Sequence, residues 1–92
     1  PIGMGTILNT RSVVDHDNQI GHCAHVAPGA VLCGFVAVGS ETWIGAGAVV
    51  RDHLSIGNRV MVGAGSVVIK NVPDGSTVYG NPAAAKGKAS TP

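Results

Sequence analysis

The sequence predicts an all-β protein, a parallel β-helix of hexapeptide repeats, and three observations predict it. Twelve aliphatic residues recur every six positions without a break: Ile2, Leu8, Val14, Ile20, Val26, Leu32, Val38, Ile44, Val50, Ile56, Val62 and Val68. The residue after each is mostly small or polar, as at Gly3, Asn9, Asp15, Gly21, Ala27, Gly39, Gly45, Gly57 and Gly63. Aromatic residues are only 3% of the chain although 45% of it is apolar. A period of six fits neither a 3.6-residue helix nor an alternating strand of ordinary length. It fits a unit that makes one short strand and one turn. The apolar content excludes disorder, and the scarcity of aromatics suits a core too thin for rings.

Each element follows from that period. Three hexapeptides close a triangular coil of eighteen residues, and twelve units make about four coils. Successive coils stack at about 4.8 Å, the spacing of paired strands. The repeating aliphatic points inward, each worth roughly 1.5–3 kcal/mol when buried. The position four after it is usually small or β-branched (Thr6, Ser12, Ala24, Ala30, Thr42, Ala48, Ser66). Small residues are expected there because the corners turn tightly and glycine accepts positive φ. The six-residue spacing ends at Val68. Val72-Pro73-Asp74-Gly75 reads as a turn, since Pro removes a ladder donor and Asp-Gly supplies the reversal. Thr77-Val78-Tyr79 reads as a last strand, and residues 84–92 as a mobile tail carrying Lys86 and Lys88. The expected division is a β-helix domain over 1–73 and a closing segment with its short C-terminal tail over 74–92.

Composition narrows the function classes. A net charge of +1, with no basic run, gives no reason to expect a nucleic-acid partner. No apolar stretch reaches membrane-spanning length and no signal-peptide pattern is present, so no membrane is expected. Cys23 and Cys33 are ten apart and fall on different faces of the prism, which argues against a disulfide. A reducing, cytoplasmic setting follows. The domain is small, and stacked repeats leave flat faces and open ends that invite association with other copies. The chain begins at Pro1 in mid-repeat without a methionine, which reads as a piece of a longer protein.

The histidines carry the chemistry. His16 stands in Val14-Asp15-His16-Asp17, at a turn and pointing away from the aliphatic column. An imidazole that is neutral near pH 7, beside a carboxylate that sets its tautomer, makes a general base. The competing reading is a solvated turn histidine. His25 lies nine residues on, half a coil around the prism. The two would meet only across a boundary between subunits. His22-Cys23-Ala24-His25 raises the question of a metal, but His16, His22, His25 and His53 do not reproduce the spacing of γ-class carbonic anhydrases, and no metal is expected. His53, beside Asp52, reads as a solvated turn residue.

Ile7-Leu8-Asn9-Thr10, Val14-Asp15-His16-Asp17 and Ile20-Gly21-His22-Cys23-Ala24-His25-Val26-Ala27-Pro28-Gly29 resemble the sugar acetyltransferases of the left-handed β-helix superfamily. The similar branch contains sialic-acid O-acetyltransferases and the N-acetyltransferases of nucleotide-linked 4-amino-4,6-dideoxy sugars. Val68 to Gly75 and Gly80-Asn81-Pro82-Ala83 match it too, so the resemblance spans residues 7 to 84. It implies a left-handed coil, against the usual hand of parallel crossovers, and a homotrimer. It implies an acetyl-CoA-dependent enzyme that acetylates an amine or hydroxyl of a sugar or sugar nucleotide. His16 would be the general base, with Asp17 orienting it. His25 would contact the acetyl end of acetyl-CoA, and the Gly34 N–H would face the thioester carbonyl. The repeat supports Gly34 independently, since it lies eighteen residues after His16 and one coil above it. Asn9 matches an asparagine near the acceptor, and Ala46, Ala64, Gly80, Asn81 and Pro82 are candidates for contacting the cofactor. Members of that branch also carry an N-terminal Rossmann-like domain that holds the sugar nucleotide, which these 92 residues do not include. The alternatives are a non-catalytic trimerisation scaffold and, behind it, a γ-carbonic-anhydrase-like metalloenzyme.

Overall fold

The structure is a computed structural model, and it describes residues 1–86. Eleven two-residue strands follow one another: β1 Ile7–Leu8, β2 Val13–Val14, β3 Gln19–Ile20, β4 His25–Val26, β5 Val31–Leu32, β6 Ala37–Val38, β7 Trp43–Ile44, β8 Val49–Val50, β9 Ser55–Ile56, β10 Met61–Val62 and β11 Val67–Val68. Two longer strands close the chain, β12 Thr77–Gly80 and β13 Ala83–Lys86. They form three sheets that are the three faces of a prism, in the orders β1-β4-β7-β10-β12-β13, β11-β8-β5-β2 and β3-β6-β9. Every pairing up to β11 is parallel with a register of eighteen, as in Ile7 with His25, Val13 with Val31 and Gln19 with Ala37. The chain is a parallel β-helix of about four coils, as the period predicts.

The core has two inward positions per repeat. The aliphatic column from Ile20 to Val68 is buried. The position four further on is buried as well, through Asn18, Ala24, Ala30, Val36, Thr42, Ala48, Leu54, Val60 and Ser66. Alanine, serine and threonine recur there because the position shares the narrow interior with the aliphatic column, not only because the corner is tight. Phe35, Trp43 and Tyr79, the three aromatics, all lie outside and half exposed. At the first coil Ile2 and Leu8 are uncovered, since no coil lies beneath them among the described residues.

The stack continues past Val68 with a two-residue contraction. Val72 bridges Ile56 and Val78 pairs with Val62, both sixteen apart, and both valines are buried. Thr77–Gly80 is thus the last strand that the sequence leads one to expect. Ala83–Lys86 turns back antiparallel to it, so residues 84–86 are strand and not tail. The rest of the expected tail, residues 87–92 with Lys88, lies outside the described residues.

Candidate active site

Corners repeat every eighteen residues, so turn residues stack in columns. One corner stacks His16, Gly34 and Asp52 in its first column and Asp17, Phe35 and His53 in its second, tied by Phe35 N–H to the His16 carbonyl and His53 N–H to the Gly34 carbonyl. All three second-column residues hold φ near +58°, the left-handed conformation that lets two residues turn the corner. A phenylalanine is an unusual occupant of that region.

His16 projects from this corner with its ring largely in solvent. Its Nδ1 lies 3.1 Å from Asp17 Oδ2. A carboxylate only accepts, so the Nδ1 proton belongs to that bond and Nε2 is left with a free lone pair. The turn is fixed on both sides. Asp15 Oδ1 accepts from the His16 backbone N–H at 2.7 Å, and Phe35 meets the imidazole edge to face at 5.2 Å between centroids. Gly34 sits against the ring. A Cβ there would stand 2.8 Å from His16 Cε1 and 2.9 Å from Nε2, closer than real Cβ contacts allow. The Gly34 N–H has no hydrogen-bond partner among the described residues. The corner therefore puts a base nitrogen and an unused backbone donor side by side.

His25 is elsewhere. It stands on the outer face of β4, stacked on Trp43 of β7 with 4.0 Å between ring centroids and 18° between planes. Both line a groove of about 560 Å³ together with Asn9, Ala46, Ala64, Met61 and Tyr79. Tyr79 lies across Gly63, where a Cβ would collide with its ring. The structure thus gathers His16, Asp17 and Gly34 at one corner, and lines one groove with His25, on the face opposite that corner, and with Asn9, Ala46 and Ala64, at the edge where that face turns toward β2, β5 and β8. Gly80 and Asn81 sit at the β12–β13 connection, with Gly80 N–H donating to Ser66 Oγ at 3.1 Å. Pro82 lines a separate cavity with Val68, Val72 and Ala83.

The other histidines acquire definite roles. His22 Nδ1 accepts the Met4 N–H at 2.7 Å. It is the lowest rung of a ladder in which Ser40, Asn58 and Asp74 side chains each accept the N–H of the turn residue one coil below. His53 is not simply solvated. Its Nδ1 is 2.8 Å from Asp52 Oδ2 and its ring stacks on Phe35 at 4.8 Å. That hydrogen bond from His53 holds the Asp52 carboxyl below the usual aspartate value. Among the described residues no cluster of three or more His, Cys, Asp or Glu side chains could hold a metal ion. Trp43, Tyr79 and Phe35 are absent from the expected site, although the register of eighteen places Trp43 above His25 and Phe35 above Asp17.

Comparison with known proteins agrees with the repeat architecture. Residues 35–70 match the family described as bacterial transferase hexapeptide (six repeats). Perosamine N-acetyltransferase from Caulobacter crescentus, solved with CoA and GDP-perosamine, is 42% identical and superposes with a TM-score of 0.93 over 94% of this chain. The described residues share the hexapeptide-repeat β-helix of that enzyme over almost their whole length. The acetyltransferase domain of PglB from Neisseria gonorrhoeae, solved with acetyl coenzyme A, is 39% identical over 91% of the chain, with a TM-score of 0.85. WeeI from Acinetobacter baumannii is 37% identical over 90%, with a TM-score of 0.81. This chain spans 41%, 44% and 47% of those three solved chains respectively.

Proposed function

We propose that this hexapeptide-repeat protein is the β-helix of an acetyl-CoA-dependent acetyltransferase whose acceptor is an amine or hydroxyl of a sugar, of the nucleotide-linked amino-sugar or sialic-acid type. The observation that carries the reading is the His16–Asp17 pair set against Gly34. A trimerisation scaffold needs neither a base with an open Nε2 nor a glycine cleared to receive its ring. Similarity to a perosamine N-acetyltransferase that binds CoA and GDP-perosamine supports the substrate class.

The chemistry is a direct transfer. The acceptor nitrogen or oxygen attacks the thioester carbonyl carbon while His16 Nε2 takes its proton, and Asp17 stabilises the imidazolium that results. Charge gathers on the carbonyl oxygen, where the Gly34 N–H donates to it. The intermediate collapses, the carbon–sulfur bond breaks and CoA leaves as thiolate, to be protonated by His16. Because His25 lies opposite His16 within one protomer, the complete site is composite. A homotrimer brings the His25 groove of one copy, with Asn9, Trp43, Ala46 and Ala64, to the His16 corner of the next. Acetyl-CoA lies along that boundary, with Gly80, Asn81 and Pro82 at its far end. The β-helix carries the catalysis, β12 and β13 close it, and the protein is cytoplasmic.

Calorimetry with acetyl-CoA, free CoA and His25→Ala tests the reading. Binding in the micromolar range, weakened for acetyl-CoA by His25→Ala, is expected, with turnover when amino-sugar nucleotides or sialic acids are supplied. A well-folded trimer that binds no acetyl-CoA would sink it.

A further inference from the structure

A polar residue lies inside the core beneath the His16 turn. Asn18 is 93% buried, being only 7% accessible, and occupies the inward column whose next two members, one and two coils above, are Val36 and Leu54. Its amide nitrogen, with two N–H groups, reaches three backbone carbonyls, those of Asp15 at 2.7 Å, Cys33 at 3.0 Å and His16 at 3.2 Å, so that one N–H is shared between two of them. All three partners are acceptors, so the orientation of the amide is dictated by chemistry. Its oxygen is buried and has no partner among the described residues. Such a group costs free energy. The fold does not require it, since the same corner is turned over Val36 and over Leu54 without it.

We propose that Asn18 is a positioning residue that aims two catalytic groups at once. In a trans peptide the C=O and the following N–H point in opposite directions. Holding the Cys33 carbonyl inward therefore turns the N–H of the next residue, Gly34, outward toward the thioester. Holding the Asp15 and His16 carbonyls fixes the turn from which the imidazole projects. One side chain thus sets the relative position of base and oxyanion donor, which belong to successive coils.

Part of this device is structural elsewhere. Thr6 and Thr42 occupy the same repeat position and donate to the Gly21 and Gly57 carbonyls, fifteen residues on, as Asn18 does to Cys33. The bonds to Asp15 and His16 have no counterpart at either threonine among the described residues. The inference rests on the acetyltransferase reading, and its test separates the two.

Asn18→Val restores the apolar pattern of its column. It is expected to leave the melting temperature unchanged or raised and acetyl-CoA affinity intact. The value of kcat should fall about ten- to a hundred-fold, the effect of displacing reacting groups by a fraction of an ångström to an ångström. The Gly34 amide cross-peak should shift and its hydrogen exchange quicken. Asn18→Thr, a residue this position accepts in two other coils, should keep the bond to Cys33 and recover part of kcat and of the Gly34 amide position. It also serves if the valine variant does not fold. Wild-type kcat in Asn18→Val, or an unmoved Gly34 amide, would overturn the proposal. So would a kcat loss matched by equal losses of melting temperature and acetyl-CoA affinity. A wild-type protein inactive on every sugar acceptor would overturn the acetyltransferase reading instead, and the Gly34 amide would then decide the clamp alone.

Discussion

Two histidine–carboxylate pairs stand at the same corner two coils apart, alike in exposure and in their carboxylate contact but set against different neighbours. His16 precedes its aspartate and His53 follows its own. Because corner residues stack in columns, that reversal places the His16 ring beside Gly34 and the His53 ring on Phe35. The two imidazoles are equally open to water, 63% and 67% exposed. Their Nδ1 atoms are both engaged by carboxylates. What separates them is the neighbour. One ring stands against Gly34, whose N–H has no hydrogen-bond partner among the described residues, and the other is stacked on a phenyl ring. A histidine–acid pair is therefore not a site by itself, and its place in the column decides.

The largest expected difference lies between the two histidines. His16→Ala should lower kcat by roughly 10²–10⁴-fold, the usual contribution of a general base, while acetyl-CoA affinity and the oligomer persist. His53→Ala should stay within a few-fold of wild type, because its ring reaches no reacting atom in the proposed mechanism. Steady-state kinetics on both variants decides the matter, and equal losses would remove the distinction between the columns. Next in size is Gly34→Ala. The new methyl would occupy the space of the His16 ring, and misplacement on that scale costs about a hundred-fold in turnover. Because φ at Gly34 is not positive, backbone strain is not a confounder and the melting temperature should hold. Wild-type kcat in Gly34→Ala would mean that the base is not confined where the structure places it.

Most of the architecture was legible from the sequence, because the unbroken run from Ile2 to Val68 ties β1 to β11 to a register of eighteen. The same arithmetic places Gly34 one coil above His16. It could not deliver the contraction after Val68, where loss of two residues hides Val72 and Val78 from a search at fixed period. Nor could it reveal Asn18. At sequence level that residue is a polar letter in an acidic turn, and only burial against three carbonyls gives it a role. The aromatic pairs were hidden for another reason. Trp43 and Phe35 were weighed as unsuited to the core, not as outward neighbours of His25 and Asp17 in the coil below.

Phe35 sharpens the comparison at smaller amplitude, since it touches both histidines. Aromatic contacts of this kind contribute about 0.5–1.5 kcal/mol each. Replacing Phe35 by Asn, which accepts positive φ, removes both contacts without breaking the turn. The expected result is a fall in kcat of about two- to ten-fold, carried by looser orientation of His16, with KM for acetyl-CoA unchanged. An Asn variant with unaltered kcat would leave Asp17 and Gly34 as sufficient supports for the imidazole.

The smallest effect belongs to Asp52, and its sign separates the pairs by pH. The hydrogen bond from His53 lowers the Asp52 value in the folded protein. A carboxyl with a depressed folded value contributes stability that is complete above the ordinary aspartate value of about 3.9 and vanishes as pH falls through the lower folded one. Thermal melts of wild type and Asp52→Asn should therefore differ slightly at pH 6 and converge in the strongly acid range. The pair is exposed and screened by salt, so raising ionic strength should shrink the neutral-pH difference as well. Turnover at neutral pH should not follow it, because in the proposed mechanism the Asp52–His53 pair acts on no reacting atom. A loss of kcat in Asp52→Asn as large as that in His16→Ala would mean that the proton leaving the acceptor travels up the corner past Phe35, and the two pairs would have to be treated as one relay.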